Sequence, residues 1–553
     1  MRTGILARNA AIASAALLVL TACGGGGDEG GTAAEGEGGG GGEQTVNVYG
    51  TDGNMGNALG ESFTQQGALA GMSGTTPLTE LSSDFRERLD ATYPGLQDYN
   101  YAGETYDAAV ITAVAAQLAG TNDANVFKEY VNGVTFGGEK CTDIASCLAI
   151  VNEGGNPDYD GISGPLAFTE AGEPSVASFG ILTFGEDNAI DESQTEFVLA
   201  GDEANAASDE GPAPAAPGTT GEQLVIGTLL PLTGNLAFLG PPEVAGARLA
   251  IQEINAAGGV LGQEVRLVEG DSGDASTDTA TQTVDRLLQE GVNAILGAAS
   301  SGVSLTVIDR ITGAGVLQFS PANTSDQFTD YNDNGLYFRS APPDTLQARA
   351  LSDLIINDGN NTVGIMALND PYGTGLMENT RENLIAAGLA EDSIQTLTYD
   401  PQAANYDAEI QQMVDFNPNA IVVIGFEESA RIIEGLNSLG IGPARGSPRA
   451  PSPAPDRRRP GARHPLAVPG HWHVRGLPST AGAVPRGRRS AGRPVWSEDA
   501  TGQRHQPWSA GVLSGGEEPR RPRRRAAAPA ARTSSGPGRT PVRRNARRRA
   551  RAG

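Results

Sequence analysis

Hydroxyl side chains cluster in two short loops of this chain, and their chemistry is that of anion binding. Ser300-Ser301-Gly302 follows the apolar run Ala294–Leu296, and Ser320–Thr324 follows the apolar run Val316–Phe319. Both loops open a helix or a turn, where unpaired backbone N–H groups and the helix dipole favour a carboxylate. The alternative is that these serines and threonines only cap helices, which is an equally common use of any one of them.

Alternating strands and helices position the two loops. Apolar runs predict strands, and residues at helical spacing predict the intervening helices. The strands are expected to begin at Leu224, Val265, Ala294 and Val316, and the helices to contain Val244–Ile254, Ala280–Leu288 and the stretch from Ser301 to about Thr312. This β-α-β-α-β-α-β order predicts an open parallel sheet, in which a ligand binds beyond the carboxyl ends of the strands.

Motifs of catalysis and of nucleotide binding are missing from the sequence. No Gly-x-Gly-x-x-Gly or Walker sequence follows the first strand, and no Gly-x-Ser-x-Gly elbow occurs. No histidine precedes His464, which argues against a Cys/His metal site. The pair Glu427-Glu428 is typical of a solvated helix start. We therefore expect a protein that is not an enzyme and that holds no cofactor and no metal.

Several motifs of this region resemble those of a known receptor family. They are Thr228–Gly234, Gly246–Ile251, Ile254–Gly259, the Ser300-Ser301 loop and Ser320–Thr324. They look like the branched-chain amino acid ABC transporter substrate-binding proteins, which are type I periplasmic-binding proteins. The resemblance implies an α/β fold of two Rossmann-like lobes with open parallel sheets. It also implies three crossings between the lobes and a hinge that closes them on the ligand.

The resemblance assigns a carboxylate site and an aromatic wall. The family's carboxylate-binding positions correspond to Ser301, Ala322 and Thr324, with Ser300 as the neighbour if the register is off by one. Tyr372 matches a family aromatic residue. Phe426 stands where other members have tyrosine.

The acid that the family uses for a ligand ammonium has no direct counterpart. Its position falls near Ala70, and Asp52 or Glu427 is the candidate replacement. Phe238, in the first loop, is expected either to wall the side-chain pocket or simply to pack in the core. The expected ligands are therefore amino acids, and also small acids or amphipathic molecules.

The first 45 residues predict export and anchoring. Basic residues within Arg2–Arg8 precede an apolar run of roughly 11 residues, too short for a bilayer, which needs about 20. The sequence before Cys23 resembles a bacterial lipobox, so residues 1–23 are expected to be a lipoprotein signal peptide whose cysteine is lipidated. An ordinary signal peptide with a stray cysteine is the alternative. Residues 24–45 are Gly/Glu-rich and predict a flexible linker.

The family's segments occur here in permuted order. Residues 46–202 resemble its last third, residues 222–444 resemble its first two thirds, and residues 203–221 form an Ala/Pro-rich linker between them. We expect a circular permutant in which strand Val46–Tyr49 lies beside Ile421–Gly425. The helix Tyr106–Leu118 should cover apolar surface of the later segment. The alternative is a defective product of two tandem receptor genes, the first missing its front and the second truncated.

Two features outside the receptor motifs complete the sequence picture. Cys141 and Cys147 lie close together, and in an exported protein they are expected to form a disulfide that closes a tight surface loop. Residues 445–553 contain 25 arginines, no lysine and five acidic residues. This tail is expected to be disordered. It is interpreted either as a basic nucleic-acid-binding arm or, with more weight, as the product of a shifted reading frame.

Net charge and family resemblance together set the expected partners. The tail carries about +20 and the whole chain −27, so residues 1–444 carry about −47. Such an acidic segment argues against nucleic acid as a partner. We expect an extracytoplasmic, lipid-anchored receptor whose partners are a small-molecule ligand and an ABC permease in the membrane. A ligand-sensing domain of a regulatory system is the alternative function.

Overall fold

The computed structural model describes residues 46–208 and 210–443. The predicted signal peptide with Cys23, the 24–45 linker and the arginine-rich tail at 445–553 lie outside the described residues. The chain divides into two compact units, residues 1–459 and 460–553, and the fold below belongs to the first. No helix of the described ranges is long and apolar enough to cross a membrane.

Strands and helices alternate along most of the described chain. The strands are β1 (Asn47–Gly50), β2 (Ser73–Pro77), β3 (Glu139–Cys141), β4 (Pro157–Tyr159), β5 (Val176–Thr183), β6 (Glu196–Gly201), β7 (Val225–Leu229), β8 (Arg266–Val268), β9 (Ala294–Gly297), β10 (Leu317–Ser320), β11 (Tyr337–Arg339), β12 (Val363–Leu368), β13 (Ile394–Tyr399) and β14 (Ala420–Ile424). The helices are α1 (Asn57–Glu61), α2 (Ser83–Thr92), α3 (Ala102–Ala119), α4 (Ala124–Val131), α5 (Ile144–Asn152), α6 (Gly240–Ala256), α7 (Thr279–Gln289), α8 (Ser301–Gly313), α9 (Asp344–Asn357), α10 (Pro371–Ala386), α11 (Asp407–Phe416) and α12 (Ser429–Ser438).

Two sheets define two lobes. The first lobe contains the parallel sheet β11-β10-β9-β7-β8, and the second contains the sheet β13-β12-β14-β1-β2-β5-β6. The prediction of an α/β fold with two open sheets is confirmed. The second sheet departs from purely parallel pairing, because β5 runs antiparallel to both β2 and β6 at one edge.

The second sheet joins the two segments of the chain at β1 and β14. Val48 pairs with Ile421 and Tyr49 with Val422, in parallel register. This is the neighbour relation expected for Val46–Tyr49 and Ile421–Gly425. The pairing is what a circular permutant requires, and the permuted order itself stays a prediction.

Helix α3 joins the segments in the first lobe. Its residues from Ala102 to Leu118 are buried, in one core with Leu296, Phe319 and residues of α6. Small residues allow the two helices to approach closely, since a Cβ added at Gly246 would lie 2.3 Å from the carbonyl oxygen of Ala102. The helix therefore covers apolar surface of the later segment, as the sequence predicts.

The 203–221 linker runs along the first lobe. The Ala207 N–H donates to the Phe168 oxygen at 2.7 Å, and the Ala215 N–H donates to the Leu118 oxygen at 2.7 Å. The chain passes between the lobes after β2, before β5 and after β11, and this linker adds a further passage between β6 and β7. Backbone hydrogen bonds thus order its described residues against the surface.

The two cysteines form a disulfide that is buried. Cys141 ends β3, Cys147 lies in α5, and their sulfurs are 2.02 Å apart. Both residues are at most 3% exposed and pack in the first-lobe core. The disulfide itself is as expected, and the loop that it closes has Thr142 and Asp143 exposed, while α5 turns its apolar face and Cys147 inward.

Two glutamates are buried where α3 meets α6. Glu243 is fully buried, and neither of its carboxylate oxygens has a hydrogen-bond partner among the described residues. Burial and the neighbouring Glu104 raise its pKa well above the usual value. Burial also raises the pKa of Glu104, to about 8. Glu104 is therefore mostly protonated at neutral pH.

Candidate functional site

A small cavity with a free volume of about 10 Å³ lies between the lobes, beyond the carboxyl ends of strands from both sheets. It brings together seven of the eight ligand-binding residues expected from the sequence. These are Asp52, Ser300, Ser301, Ala322, Thr324, Tyr372 and Phe426. Its other lining residues are Gly53, Tyr101, Leu236, Leu239 and Ala299.

The amino terminus of α8 forms one end of the cavity. Ser300 is the N-cap residue, and its hydroxyl accepts a hydrogen bond from the Val303 N–H at 3.3 Å. The Ser301 hydroxyl accepts one from the Ser325 N–H at 3.3 Å. The first N–H groups of a helix have no partner within it and carry the positive end of its dipole. This end of the cavity suits a carboxylate.

Thr324 adds a buried hydroxyl at the same end. The residue is 1% exposed, and its side chain lies beside the carboxyl of Asp344.

Arg339 holds the loop that carries Thr324. Its Nη1 donates to the carbonyl oxygens of Asn323, at 3.2 Å, and Ser325, at 2.8 Å. Its Nε and Nη2 donate to the carboxylate of Glu173, and Nη2 also donates to Thr329 Oγ1. Arg339, which follows the 203–221 linker, is thereby held by Glu173, which precedes that linker.

Asp52 provides the acid of the cavity, from the loop after β1. Its Oδ1 accepts hydrogen bonds from Gln347 Nε2 at 2.8 Å and from the Tyr372 hydroxyl at 2.9 Å. Its Oδ2 accepts one from the Tyr101 hydroxyl at 2.8 Å. Burial raises the pKa of this carboxyl, and the three donors oppose the shift. Because a carboxylate accepts about four hydrogen bonds, Oδ2 has room for one more donor.

Tyr372 and Phe426 form an aromatic wall. Their rings stack with centroids 5.5 Å apart and an interplanar angle of 6°. The Tyr372 hydroxyl is fixed from both sides, by Asp52 and by Thr51 Oγ1 at 2.7 Å. The aromatic wall thus gives the cavity a rigid apolar lining on the side of the second lobe. On the opposite side, Leu236 and Leu239 form the apolar lining.

Phe238 lies outside this cavity. It lines a neighbouring opening of about 280 Å³ together with Phe426 and Glu427, and it packs against the second-lobe core. Glu427 is exposed in the same opening, and Ala70 is not among the residues of the cavity. Of the two acids expected to replace the family's carboxylate, the structure places Asp52 in the cavity.

Contacts between the lobes enclose the cavity. The Ser325 hydroxyl donates to the Pro371 oxygen at 3.0 Å, and the Asn379 amide donates to an Asp326 oxygen. A second buried carboxyl, Asp344, follows the Thr324 loop, and its N–H donates to the Thr324 oxygen at 2.7 Å. Burial and then the charge of Asp326 raise the pKa of Asp344 well above its usual value.

Tyr101 and Gln347 belong to the site although the sequence does not single them out. Tyr101 precedes α3 in the left-handed backbone conformation, at φ 60°. Gln347 lies in the first turns of α9. Both residues contact Asp52 only once the chain is folded. The one sequence feature that points to either of them is the position of Tyr101 directly before a strongly apolar helix. Within residues 46–208 and 210–443, no cluster of three metal-ligating side chains occurs.

Comparisons with known proteins match part of the chain. A family model described as "Periplasmic binding protein" matches residues 223–448. The chain is 30% identical over 178 residues to a Leu/Ile/Val-binding protein homolog 2 of Brucella abortus, covering 32% of this chain and 47% of that protein. It is 29% identical to the Leu/Ile/Val-binding protein BraC3 of Rhizobium johnstonii, covering 30% and 46%. The chain thus spans about half the length of these relatives.

One solved structure is similar over part of the chain. It is the branched-chain amino acid transporter substrate binding protein LivJ of Streptococcus pneumoniae in complex with isoleucine. The identity is 27%, the match covers 40% of this chain and 62% of that one, and the TM-score is 0.35. The proteins named in these comparisons are binding proteins.

Proposed function

We propose that this chain, whose residues 223–448 belong to the periplasmic-binding-protein family, is an extracytoplasmic solute receptor of an ABC importer. Its ligand is an amino acid, with branched-chain amino acids first, or a related small acid or amide. The observation that carries the proposal is the pairing of two complementary ends in one closed cavity. The α8 terminus with Thr324 suits a carboxylate, and Asp52 suits an ammonium.

The chemistry of the cavity supports an amino acid in particular. The spare acceptor position of Asp52 Oδ2 accepts an ammonium N–H, which would lower the raised pKa of that carboxyl. Leu236, Leu239 and the Tyr372–Phe426 pair offer apolar surface to the side chain. The free volume in this lobe arrangement is about 10 Å³, so an amino acid enters only when the lobes move apart.

Lobe closure and membrane anchoring complete the proposal. The ligand binds the closed state more tightly because both lobes contribute to its contacts, and this difference drives closure. Cys23, if lipidated, anchors the receptor beside the permease with two acyl chains. The permease then takes the ligand from the opened receptor.

The proposal is tested by calorimetric titration with L-leucine and two analogues that each lack one charged group. Leucinamide lacks the carboxylate, and 4-methylpentanoate lacks the ammonium. Each should bind at least tenfold more weakly than leucine, since a hydrogen bond to a charged group contributes about 1.5–3 kcal/mol. Valine and isoleucine should bind comparably to leucine.

Two variants test which end of the cavity binds which charged group of the ligand. Asp52→Asn should weaken leucine binding and leave 4-methylpentanoate unaffected, whereas Ser301→Ala should weaken leucine binding and leave leucinamide unaffected. Thr306→Ala is the matched control on the same helix, because that hydroxyl bonds the Val303 oxygen outside the cavity. A folded protein that responds to no amino acid, small acid or amide would overturn the proposal.

A further inference from the structure

A thin partition separates the ligand cavity from the larger opening beside it. The opening has a free volume of about 280 Å³, whereas the cavity has about 10 Å³. Among the described residues, Gly53 and Phe426 line both spaces. Because glycine has no side chain, the phenyl ring of Phe426 is the side chain that stands between the cavity and the opening.

Close packing holds the Phe426 ring in this partition. A Cβ added at Gly53 would lie 2.8 Å from Cδ1 of Phe426 and 2.5 Å from the carbonyl oxygen of Gly425. The ring also stacks on Tyr372 with the centroids 5.5 Å apart, and Phe426 is 6% exposed. The neighbours of the ring therefore fix its position, and the partition at this point is one ring thick.

A loop of the first lobe completes the partition. Leu236 and Leu239 line the cavity, whereas Ala237 and Phe238, which lie between them in the chain, line the opening. Leu236, Leu239 and Phe238 pack against the second-lobe core. The partition therefore consists of parts from both lobes, which meet in this lobe arrangement.

The side chain of an amino acid ligand would begin beside this partition. Asp52, which suits the ligand ammonium, directly precedes Gly53 in the chain and lines the same cavity. An ammonium bonded to Asp52 places the α-carbon of the ligand near the partition. Because the cavity has so little free volume, each further methylene of the side chain must hold the lobes apart or displace the Phe426 ring.

We propose that Phe426 is a specificity-determining residue, which limits the length of the ligand's side chain by closing the cavity against the opening. This inference rests on the proposed function, because it takes an amino acid as the ligand of the cavity. The chain then prefers amino acids with short apolar side chains. Without the ring, the opening accepts the end of a longer side chain, which lies against Leu59 and Phe238.

Calorimetric titration of the full chain with two unbranched amino acids tests this limit. L-2-aminooctanoate has two more methylenes than L-norleucine, and it should bind about tenfold more weakly, since overfilling a packed space costs about that much. Phe426→Ala should shift the preference toward 2-aminooctanoate by at least tenfold, because each methylene buried in the opening contributes about fourfold in affinity. Phe426→Leu keeps part of the apolar bulk and should give a smaller shift in the same direction.

A second substitution tests whether the longer side chain enters the opening. Phe238 lines the opening and is not among the residues of the cavity. Adding Phe238→Ala to Phe426→Ala should reduce the gain of 2-aminooctanoate over norleucine by roughly threefold, because the end of the chain loses an apolar wall. Phe197→Ala is the matched control, since it removes the same ring from a second-lobe residue that lines neither space, and it should leave the preference unchanged.

The proposed function and this inference fail on different results. If a wild-type chain that is folded by its thermal unfolding binds neither amino acid, the amino acid assignment of the cavity is overturned, and this inference with it. If norleucine binds and the preference is unchanged in folded Phe426→Ala and Phe426→Leu, this inference alone is overturned. Equal wild-type affinities for the two amino acids would also refute it, as would an equal shift in Phe197→Ala or a gain that Phe238→Ala does not reduce.

Discussion

Removing the charge of Glu173 is expected to destabilise the fold, because this carboxylate neutralises the buried Arg339. The side chain of Arg339 is 1% exposed and that of Glu173 is 9% exposed. The guanidinium donates two hydrogen bonds to Glu173, one to Thr329 and one each to two backbone oxygens. All five of its N–H donors are thus used. Glu173→Gln keeps the shape and leaves a buried positive charge without its counter-charge.

The expected cost of Glu173→Gln is about 3–5 kcal/mol, the range for breaking a buried ion pair from one side. Domains have total stabilities of about 5–15 kcal/mol, so this is a third or more of a typical value. The double variant Glu173→Leu/Arg339→Met removes both charges and should recover most of the stability. It should not recover ligand affinity, because the oxygens flanking Thr324 lose the guanidinium that positions them.

Urea unfolding followed by circular dichroism measures the stability, and calorimetric titration measures the affinity. Glu290→Gln is the matched control, because its pair with Arg266 is about 40% exposed on both sides. An exposed pair of this kind contributes at most about 1 kcal/mol. The reasoning is refuted if Glu173→Gln costs less than about 1 kcal/mol, or if the double variant is no more stable than the single one.

Three further predictions concern the site, the buried acids and the disulfide. Ser301→Ala and Thr324→Ala should each weaken leucine binding by about 1–3 kcal/mol, and unchanged affinity would reduce both hydroxyls to helix and turn caps. The free energy of unfolding should fall as pH rises from about 4.5 to about 8, because the folded-state pKa of Glu104 is raised to about 8 and its neutral form is the stable one. Glu104→Gln should flatten that slope, which is at most about 1.4 kcal/mol per pH unit for one proton; an equal slope in the variant contradicts the assignment. Reducing the bond between Cys141 and Cys147 should cost about 2 kcal/mol, because the loop it closes is short, and an unchanged midpoint with dithiothreitol would show that the bond contributes little.

The sequence predicts those parts of the fold that depend on local periodicity. The strands and helices between Leu224 and Phe319 occur where the apolar spacing places them. Seven expected ligand residues share one cavity, because the carboxyl ends of parallel strands meet at one edge of a sheet. Ser301 and Thr324, for example, follow neighbouring strands β9 and β10.

The remaining features depend on contacts between distant parts of the chain. Gln347 lies 295 residues from Asp52 and contacts it only once both lobes are formed. The antiparallel edge at β5 also arises from long-range pairing, since Ser73 pairs with Thr183. Cys147 is buried because it lies on the side of α5 that faces the core. The spacing between Cys141 and Cys147 does not show which side of the helix that is. The spacing of apolar residues also does not show whether Phe238 lines the ligand cavity or the neighbouring opening.

The ligand cavity depends on both segments of the chain together. Asp52 and Tyr101 precede the 203–221 linker, whereas Ser301 and Thr324 follow it. The later segment alone would keep the end of the cavity that suits a ligand carboxylate and would lack Asp52. The earlier segment alone would keep Asp52 and lack that end. The linker makes their association intramolecular, at an effective concentration of the order of millimolar for a short flexible connection. A chain whose segments occur in permuted order can therefore still bind a ligand. Binding requires only that the two segments pack into common cores and enclose one cavity.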